Sequence, residues 1–371
     1  MIKRQLLTEI QRFSQKKKAI IVLGPRQVGK TTLIKTLMGS DEYLFLDGDD
    51  NVVAKQLSEA DTFKIKQIIG NHAKVFVDEA QKINNIGNTL KIITDQMPNV
   101  ELFISGSSSL EMNQATQEPL TGRKFEFELY PISWKEFESH VGYLAAENQL
   151  EHRLIYGMYP DVLNDPTIET VTLKTLTQSY LYQDILALAG IRKPDILDRL
   201  LTALALQIGS EVSYNELAQL LQIDKGTVMK YIDLLEQSFV IFTLPSFSRN
   251  LRNEIKNNRK IYFYDNGIRN AIINNFNGLE ARTDKGALWE NFLISERRKQ
   301  NAYTQKYCRT YFWRTQIQQE IDYLEELNGE IRAFEFKWNN TKTFRYPTTF
   351  AKTYDSIPTL IDKNNFREFI G

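Results

Sequence analysis

The chain has 371 residues, 42% hydrophobic and 25% charged, a length that predicts two or three domains. Its 46 basic residues balance 46 acidic ones, so no overall field attracts nucleic acid and any such surface has to be local. A single cysteine excludes an internal disulfide framework and indicates a reducing compartment. Neither a secretory signal nor an apolar run near the roughly 20 residues of a spanning helix is recognisable, which predicts a cytoplasmic protein without a membrane partner.

A glycine-rich loop follows the first apolar run, Ala19–Leu23, and precedes a helical pattern, with the spacing G-x-x-x-x-G-K-T. Such a loop bends so that successive backbone N–H groups point at a phosphate, and the helix start adds its positive end. We expect Lys30 to reach the β- and γ-phosphates and the Thr31 hydroxyl to bind Mg²⁺. The predicted nucleotide-binding residues are Gly24, Pro25, Arg26, Gln27, Val28, Gly29, Lys30, Thr31 and Thr32.

A second apolar run, Lys74–Val77, leads into the acid pair Asp78-Glu79. A buried parallel strand that ends in two acids is typical of the metal-binding and catalytic half of a nucleotide triphosphatase. Asp78 is expected to hold Mg²⁺ through water, and Glu79 to orient and activate the attacking water.

A third run, Val100–Ile104, ends in serines. If its strand lies between the phosphate-loop strand and the acid-pair strand, it brings a polar side chain to the γ-phosphate. Ser105 and Ser107 are the candidates and Ser107 is preferred, although a serine suits a helix N-cap equally. Arg123 either stabilises charge on the γ-phosphoryl group, from the same or a neighbouring subunit, or is an ordinary surface arginine. Action on a neighbouring subunit would make the protein a homo-oligomer.

After residue 145 the pattern changes to almost continuous helix, up to residue 209, which predicts a helical lid or connector. Two helices over 213–221 and 225–237, a tight turn between them and two strands after them predict a winged helix-turn-helix. The loop between the strands is basic, with Lys256, Arg259 and Lys260 contributing, as a phosphate-tracking wing requires. The expected DNA contacts are Lys225, Thr227, Lys230, Arg249 and Arg252. The alternative is a structural winged helix that packs on the ATPase core or on a neighbour.

Strands predicted near residues 311–314, 321–324 and 333–337 carry a second group of acids. Alternation puts Glu335 and Lys337 on one face. If Asp322 faces the same side, two carboxylates and the carbonyl of Phe336 can bind one Mg²⁺. Lys337 would then position or help deprotonate a water that attacks a phosphodiester, and Glu290 would be a further metal ligand or base. The alternative is a solvated Glu-Lys pair.

Residues 297–314 add six basic side chains and no acid, interleaved with aromatic residues. Such a surface suits a nucleic-acid backbone and unstacked bases. Retained cleavage is left open at this point.

Together these motifs resemble the prokaryotic AAA-type ATPases in which the nucleotide domain is followed by a winged helix and a restriction-endonuclease-like domain of the PD-(D/E)xK kind. The segments that carry the resemblance are 24–32, 77–81, 105–108, 120–123, 130–133, 262–267, 289–291 and 335–337. The resemblance implies an acid-pair strand beside a sensor strand, ATP hydrolysis by Glu79 and a nuclease-like tail. Ile321-Asp322 stands where Pro-Asp is usual, which leaves the metal-binding aspartate in place.

The sequence therefore predicts an α/β fold, with a P-loop NTPase parallel sheet and helices on both faces, followed by a helical connector, a winged helix-turn-helix and a small α/β nuclease-like domain. The predicted domains are 1–145, 146–210, 211–270 and 280–371. The predicted function is ATP hydrolysis, with ATP and Mg²⁺ as cofactors, coupled to DNA binding or remodelling. The alternative is a nucleotide-operated switch whose C-terminal domain binds a protein or an RNA without cleavage.

Overall fold

A computed structural model describes residues 1–14, 16–59, 61–107, 119–178, 194–249, 259–315, 317–339 and 345–371. The chain divides into two compact units: unit 1 is Met1–Pro131 with Gln237–Phe239, and unit 2 is Ile132–Glu236 with Val240–Gly371. Arg252 and Lys256 of the predicted wing, and residues 179–193 of the predicted connector, lie outside the described residues.

Unit 1 contains a five-stranded parallel sheet flanked by helices. Its strands are β1 (Ala19–Leu23), β2 (Leu44–Asp47), β3 (Lys74–Asp78), β4 (Glu101–Gly106) and β5 (Lys124–Glu128), in the order β2-β3-β4-β1-β5. Its helices are α1 (Leu6–Phe13), α2 (Lys30–Met38), α3 (Asn51–Ser58), α4 (Thr62–Ile69) and α5 (Ile86–Gln96), with a 3₁₀ turn at Ala80–Lys82. The central strands are continuous apolar runs because both faces of a parallel sheet are covered. The predicted α/β fold and the position of β4 between β1 and β3 are confirmed.

Unit 2 begins with helices α6 (Trp134–Val141), α7 (Tyr143–Tyr156), α8 (Pro160–Asn164), α9 (Glu169–Leu176) and α10 (Pro194–Leu206). A capping box fixes the start of α6: the Glu136 amide donates to Ser133 Oγ at 3.2 Å, and the Ser133 amide to Glu136 Oε2 at 2.9 Å. The predicted helical run breaks after Tyr156 because Gly157 adopts φ 70°, and a Cβ there would lie 2.0 Å from the carboxylate of Asp265.

The next part of unit 2 is a helix pair with a small antiparallel sheet. It consists of β6 (Glu211–Val212), α11 (Tyr214–Leu221), α12 (Lys225–Gln237), β7 (Ile241–Pro245) and β8 (Arg259–Phe263), with strand order β6-β8-β7. The helices and strands follow one another as the sequence predicts. Lys260, however, is 2% exposed on β8, so it does not contribute to the phosphate-tracking surface of the predicted wing.

The last part of unit 2 contains α13 (Asn266–Ile272), α14 (Lys285–Tyr303), α15 (Thr348–Tyr354) and α16 (Phe366–Ile370) beside a second sheet. The sheet consists of β9 (Arg309–Arg314), β10 (Glu320–Leu327), β11 (Glu330–Phe336) and β12 (Thr359–Ile361), in the order β12-β11-β10-β9. Strand β12 runs parallel to β11, and the other pairs are antiparallel. The described helices include none that is long and apolar enough to cross a bilayer.

Helix α6 packs within unit 2, whereas the sequence pattern put the first boundary near residue 145. The Trp134 ring meets Phe292 of α14 and Phe366 of α16 edge-on, with centroids 5.8 and 5.7 Å apart. The Trp134 amide also donates to Glu296 Oε2 at 2.6 Å. These contacts join segments far apart in sequence, so local periodicity could not place them.

A buried carboxylate ties β10 to α14. Glu325 is 1% exposed, and its oxygens accept hydrogen bonds from Arg297 at 2.7 and 2.8 Å, Lys306 at 2.6 Å and Asn301 at 2.9 Å. Burial by itself would raise the pKa of Glu325, but these partners outweigh it and lower the pKa to about 2. Such a decrease from 4.5 stabilises the folded protein by on the order of 3 kcal/mol at neutral pH.

We therefore expect acid to destabilise the protein partly through Glu325. Because its folded pKa lies below the unfolded value, this contribution is complete above about pH 4.5 and is lost as the pH falls toward about 2. Glu325→Gln should lower the thermal midpoint at neutral pH and flatten its decline in that acid range, as followed by circular dichroism. Glu326→Gln, at the next position of β10, is the control, and identical pH curves for the two variants would contradict the assignment.

Candidate nucleotide site and C-terminal acidic cluster

The loop between β1 and α2 has two glycines that other residues could not replace without strain. Gly24 has φ 153°, and a Cβ there would lie 2.0 Å from the carbonyl oxygen of Leu129. Gly29, which precedes α2, has φ 93°. The other predicted residues lie in the same loop and the first turn of α2: Pro25, Arg26, Gln27, Val28, Lys30, Thr31 and Thr32.

Lys30 begins α2 and is 5% exposed. Its ammonium group donates to the carbonyl oxygens of Gly24 at 2.9 Å and Pro25 at 2.8 Å, so the side chain lies across the loop. The amino end of α2 points its N–H groups into the same place, which is a favourable position for a phosphate.

Arg4 supports the loop and was not predicted. Its guanidinium group donates to the carbonyl oxygens of Val28 at 2.7 Å and Tyr130 at 2.5 Å. A lone arginine ahead of α1 has no spacing that could indicate this role.

The oxygens predicted to bind a metal lie together at the carboxyl edge of the sheet. Thr31 Oγ1 donates to Asp78 Oδ2 at 2.8 Å, and the Ser105 hydroxyl donates to Asp78 Oδ1. Ser105 Oγ also accepts the amide of Glu79 at 3.2 Å. Both groups offer oxygen atoms, which are the ligands that the hard cation Mg²⁺ takes, so Thr31 and Asp78 fit Mg²⁺.

Glu79 follows β3 in the left-handed region, with φ 44°. Gln81 Nε2 donates to Glu79 Oε2 at 2.5 Å and to Ser107 Oγ at 2.9 Å. Ser105 is thus bonded to Asp78, whereas Ser107 is linked to the side chain of Glu79 through Gln81. The preference for Ser107 at the γ-phosphate stays a prediction. Gln81 lies in segment 77–81, which carries the family resemblance, but the sequence pattern predicts no function for it.

Arg123 lies at the amino ends of the strands, opposite the carboxyl edge of the sheet. It directly precedes β5, whose first residue Lys124 pairs with Ala19 at the start of β1, one strand length from the phosphate loop. Its Nε donates to Asp95 at 2.6 Å. This position contradicts a role at the γ-phosphate of its own subunit, because the chemistry is at the carboxyl edge; a role toward a neighbouring subunit stays a prediction.

The predicted DNA contacts of unit 2 differ in their surroundings. Lys225 and Lys230 are exposed on α12. The Thr227 hydroxyl and amide both donate to the carboxylate of Asp224, at 2.5 and 2.8 Å, and so fix the start of the helix. The guanidinium group of Arg249 lies 5.3 Å from the ring centroid of Tyr354.

Asp322 and Glu335 lie side by side on β10 and β11, since the register pairs Tyr323 with Phe334. The amide of Phe336 donates to Asp322 Oδ2 at 2.8 Å. Burial, and then the charges of Glu290 and Glu335, raise the pKa of Asp322 well above its usual value. Lys337 donates to Glu335 at 2.8 Å, yet burial still raises the pKa of Glu335.

A lysine ammonium group lies within this acidic cluster. Lys260 Nζ is 3.1 Å from Glu290 Oε1 and 2.5 Å from Glu320 Oε1, and the Tyr262 hydroxyl donates to the same Glu290 oxygen at 2.5 Å. Burial would lower the pKa of Lys260, but Glu290, Asp322 and Glu320 together raise it, so the group is a cation at neutral pH.

Glu290 does not fit as a ligand of the Mg²⁺ that the nuclease resemblance implies, whereas Asp322 and Glu335 as its ligands stay a prediction. In the described ranges, no three histidine, cysteine or carboxylate side chains are arranged to hold a metal ion. Glu290 is already paired with Lys260, and a divalent cation beside that ammonium group would be repelled. The prediction of Glu290 as a metal ligand therefore disagrees with the geometry, and no step is derived through a metal here.

The sheet order, the glycine loop ahead of α2 and the acid pair at the end of β3 define a P-loop NTPase fold. A family model described as an AAA domain matches residues 16–138. Two models described as domains of unknown function match residues 147–279 (DUF8612) and 285–366 (DUF4143).

The chain is similar in sequence to uncharacterized proteins, and in fold to a solved Walker-type ATPase. An uncharacterized protein of Mycobacterium tuberculosis is 28% identical over 345 residues, which cover 91% of this chain and 74% of the relative. One of Methanocaldococcus jannaschii is 24% identical over 363 residues, covering 91% and 79%. The Walker-type ATPase PABY2304 of Pyrococcus abyssi aligns over 74% of this chain and 96% of its own, with a TM-score of 0.52 and 14% identity. At that identity the likeness supports the fold alone.

Proposed function

We propose that this protein is a Mg²⁺-dependent ATPase of the AAA type, and that its hydrolysis is coupled to DNA binding through α11 and α12. The observation that carries the proposal is the contact of Thr31 with Asp78, directly beside Glu79 and at the mouth of the glycine loop. The AAA family match and the P-loop fold support nucleotide binding and hydrolysis.

The loop residues have distinct roles in this proposal. Backbone N–H groups of the loop and the Lys30 ammonium group bind the β- and γ-phosphates. Glu79 directs the attacking water at the γ-phosphorus and accepts a proton from that water. Thr31 and Asp78 would hold Mg²⁺, which neutralises charge on the phosphate oxygens. Ser107 contacts the γ-phosphate in this proposal.

Substitutions at Lys30 and Glu79 separate binding from hydrolysis. Lys30→Ala should abolish both ATP binding and turnover, because the buried cation of the loop is lost. Glu79→Gln should keep binding and lower turnover by roughly 100-fold or more, since an amide cannot accept the proton. Binding is measured with a fluorescent ATP analogue and turnover by phosphate release.

The exposed residues Lys91 and Glu42 provide matched controls, as Lys91→Ala and Glu42→Gln. Unchanged turnover in Glu79→Gln would contradict the assignment of the base. Absence of ATP binding by the unsubstituted protein would contradict the proposed function itself.

The DNA part of the proposal rests on exposed charge at the start of α12. Lys225→Ala with Lys230→Ala should weaken DNA binding and reduce the slope of log Kd against log salt by about 2, because two phosphate contacts are removed. Fluorescence anisotropy over a salt series measures both quantities. Lys174→Ala, exposed on α9, is the control, and equal slopes would contradict contact through α12.

A second function is favoured by the Lys260 pairing: a nucleotide-operated switch whose C-terminal region binds a protein or an RNA without cleavage. Under this function the Lys260 ammonium group balances part of the negative charge of Glu290 and Glu320, and the acidic cluster has a structural role.

Under this second function, supercoiled DNA stays intact when incubated with the protein in Mg²⁺ or Mn²⁺ and resolved on agarose gels. Nicking that disappears in Asp322→Ala and in Lys337→Ala, but persists in Asp161→Ala on the exposed side of α8, would contradict it. Nicking that persists in all three variants would come from a contaminant.

A further inference from the structure

The 3₁₀ turn after the acid pair places an amide side chain between two groups of the ATPase site. The turn is held by the amide of Lys82, which donates to the Glu79 carbonyl at 2.9 Å. Ala80 is fully buried and anchors it. Gln81 consequently has little freedom to leave the side of Glu79.

The amide nitrogen of Gln81 bridges the predicted base and the predicted γ-phosphate contact. It donates to Glu79 Oε2 at 2.5 Å and to Ser107 Oγ at 2.9 Å. The orientation of the amide is fixed by chemistry, because a carboxylate only accepts hydrogen bonds and the opposite orientation would bring two oxygens together.

The carbonyl oxygen of the same Gln81 amide carries a cost in free energy. Gln81 Oε1 is buried and has no hydrogen-bond partner among the described residues, and an unpaired buried acceptor costs about 1–3 kcal/mol. The amide nitrogen, in contrast, has both of its acceptors, Glu79 and Ser107, in the predicted ATPase site.

We propose that Gln81 is a positioning residue for ATP hydrolysis, one that holds the Glu79 carboxylate and links it to Ser107. A shift of Ser107 on contact with the γ-phosphate would be transmitted through the Gln81 amide to the base. The inference rests on the ATPase function proposed above, with Glu79 as the base.

The test replaces Gln81 by methionine, which has a similar length and volume but no N–H donor. Gln81→Met should lower kcat by roughly 10- to 100-fold, because a loosely oriented base loses alignment with the water. KM and the affinity for a fluorescent ATP analogue should stay within about threefold. The thermal midpoint should fall modestly for either role, because two hydrogen bonds are lost. A purely structural role would lower the midpoint in the same way but leave kcat intact.

A double-mutant cycle tests the link to Ser107. If the two residues act as one unit, Gln81→Met with Ser107→Ala should be no slower than the slower single variant. Effects that multiply would overturn the link. Gln96→Met, exposed on α5, is the matched control, and wild-type kcat in Gln81→Met would overturn the positioning role.

Two further measurements keep the outcomes distinct. If Gln81→Met prevents folding, Gln81→Asn is the second variant. Its shorter side chain cannot reach both Glu79 and Ser107, so we expect the same loss of kcat. If the unsubstituted protein hydrolyses no ATP, the proposed function fails; if it does so and both Gln81 variants match it, only this inference fails.

Discussion

The contact between Thr31 and Asp78 is the constraint on which the nucleotide site depends. It joins the first turn of α2 to the end of β3, although β4 separates β3 from β1 in the sheet. The parallel arrangement makes this possible, since the carboxyl ends of β1, β3 and β4 lie at one edge. Ser105 completes the link from the strand between them. Any change in strand order would separate the hydroxyl from the carboxylate.

In unit 2, some buried charged side chains are paired with one another rather than with a phosphate. Some of its buried carboxylates are paired with cations, such as Glu325 with Arg297 and Lys306, and Glu290 with Lys260. A buried charge left alone would cost several kcal/mol. The pairing with Lys260 therefore gives Glu290 a structural role.

Two segments that carry the family resemblance have a structural explanation. The side chain of Asn291 accepts a hydrogen bond from the Phe263 amide at 2.7 Å and donates one to the Phe263 carbonyl at 3.0 Å. It therefore pairs with the backbone of β8 as a neighbouring strand would. Asp265 accepts the amide of Met158 at 2.7 Å. A Cβ on Gly267 would lie 2.2 Å from the carbonyl of Tyr156. These residues fasten α14 and α7 to the end of β8, and such a role requires particular residue types as strictly as catalysis does.

What the sequence by itself determined is the local chemistry of the ATPase half. The apolar runs, the glycine spacing, the acid pair and the serines after β4 all act within a few residues, so their strands, loop and helix followed from pattern alone. Helices α11 and α12 and the strands after them followed for the same reason.

Only the tertiary structure decided which side chains meet across long separations. It placed Arg123 at the wrong edge for its own nucleotide, joined Lys260 to Glu290 and Glu320, and set Gln81 between Glu79 and Ser107. The physical reason is that hydrogen bonds and ion pairs depend on distances of about 3 Å, and sequence spacing does not determine such distances between different strands and helices.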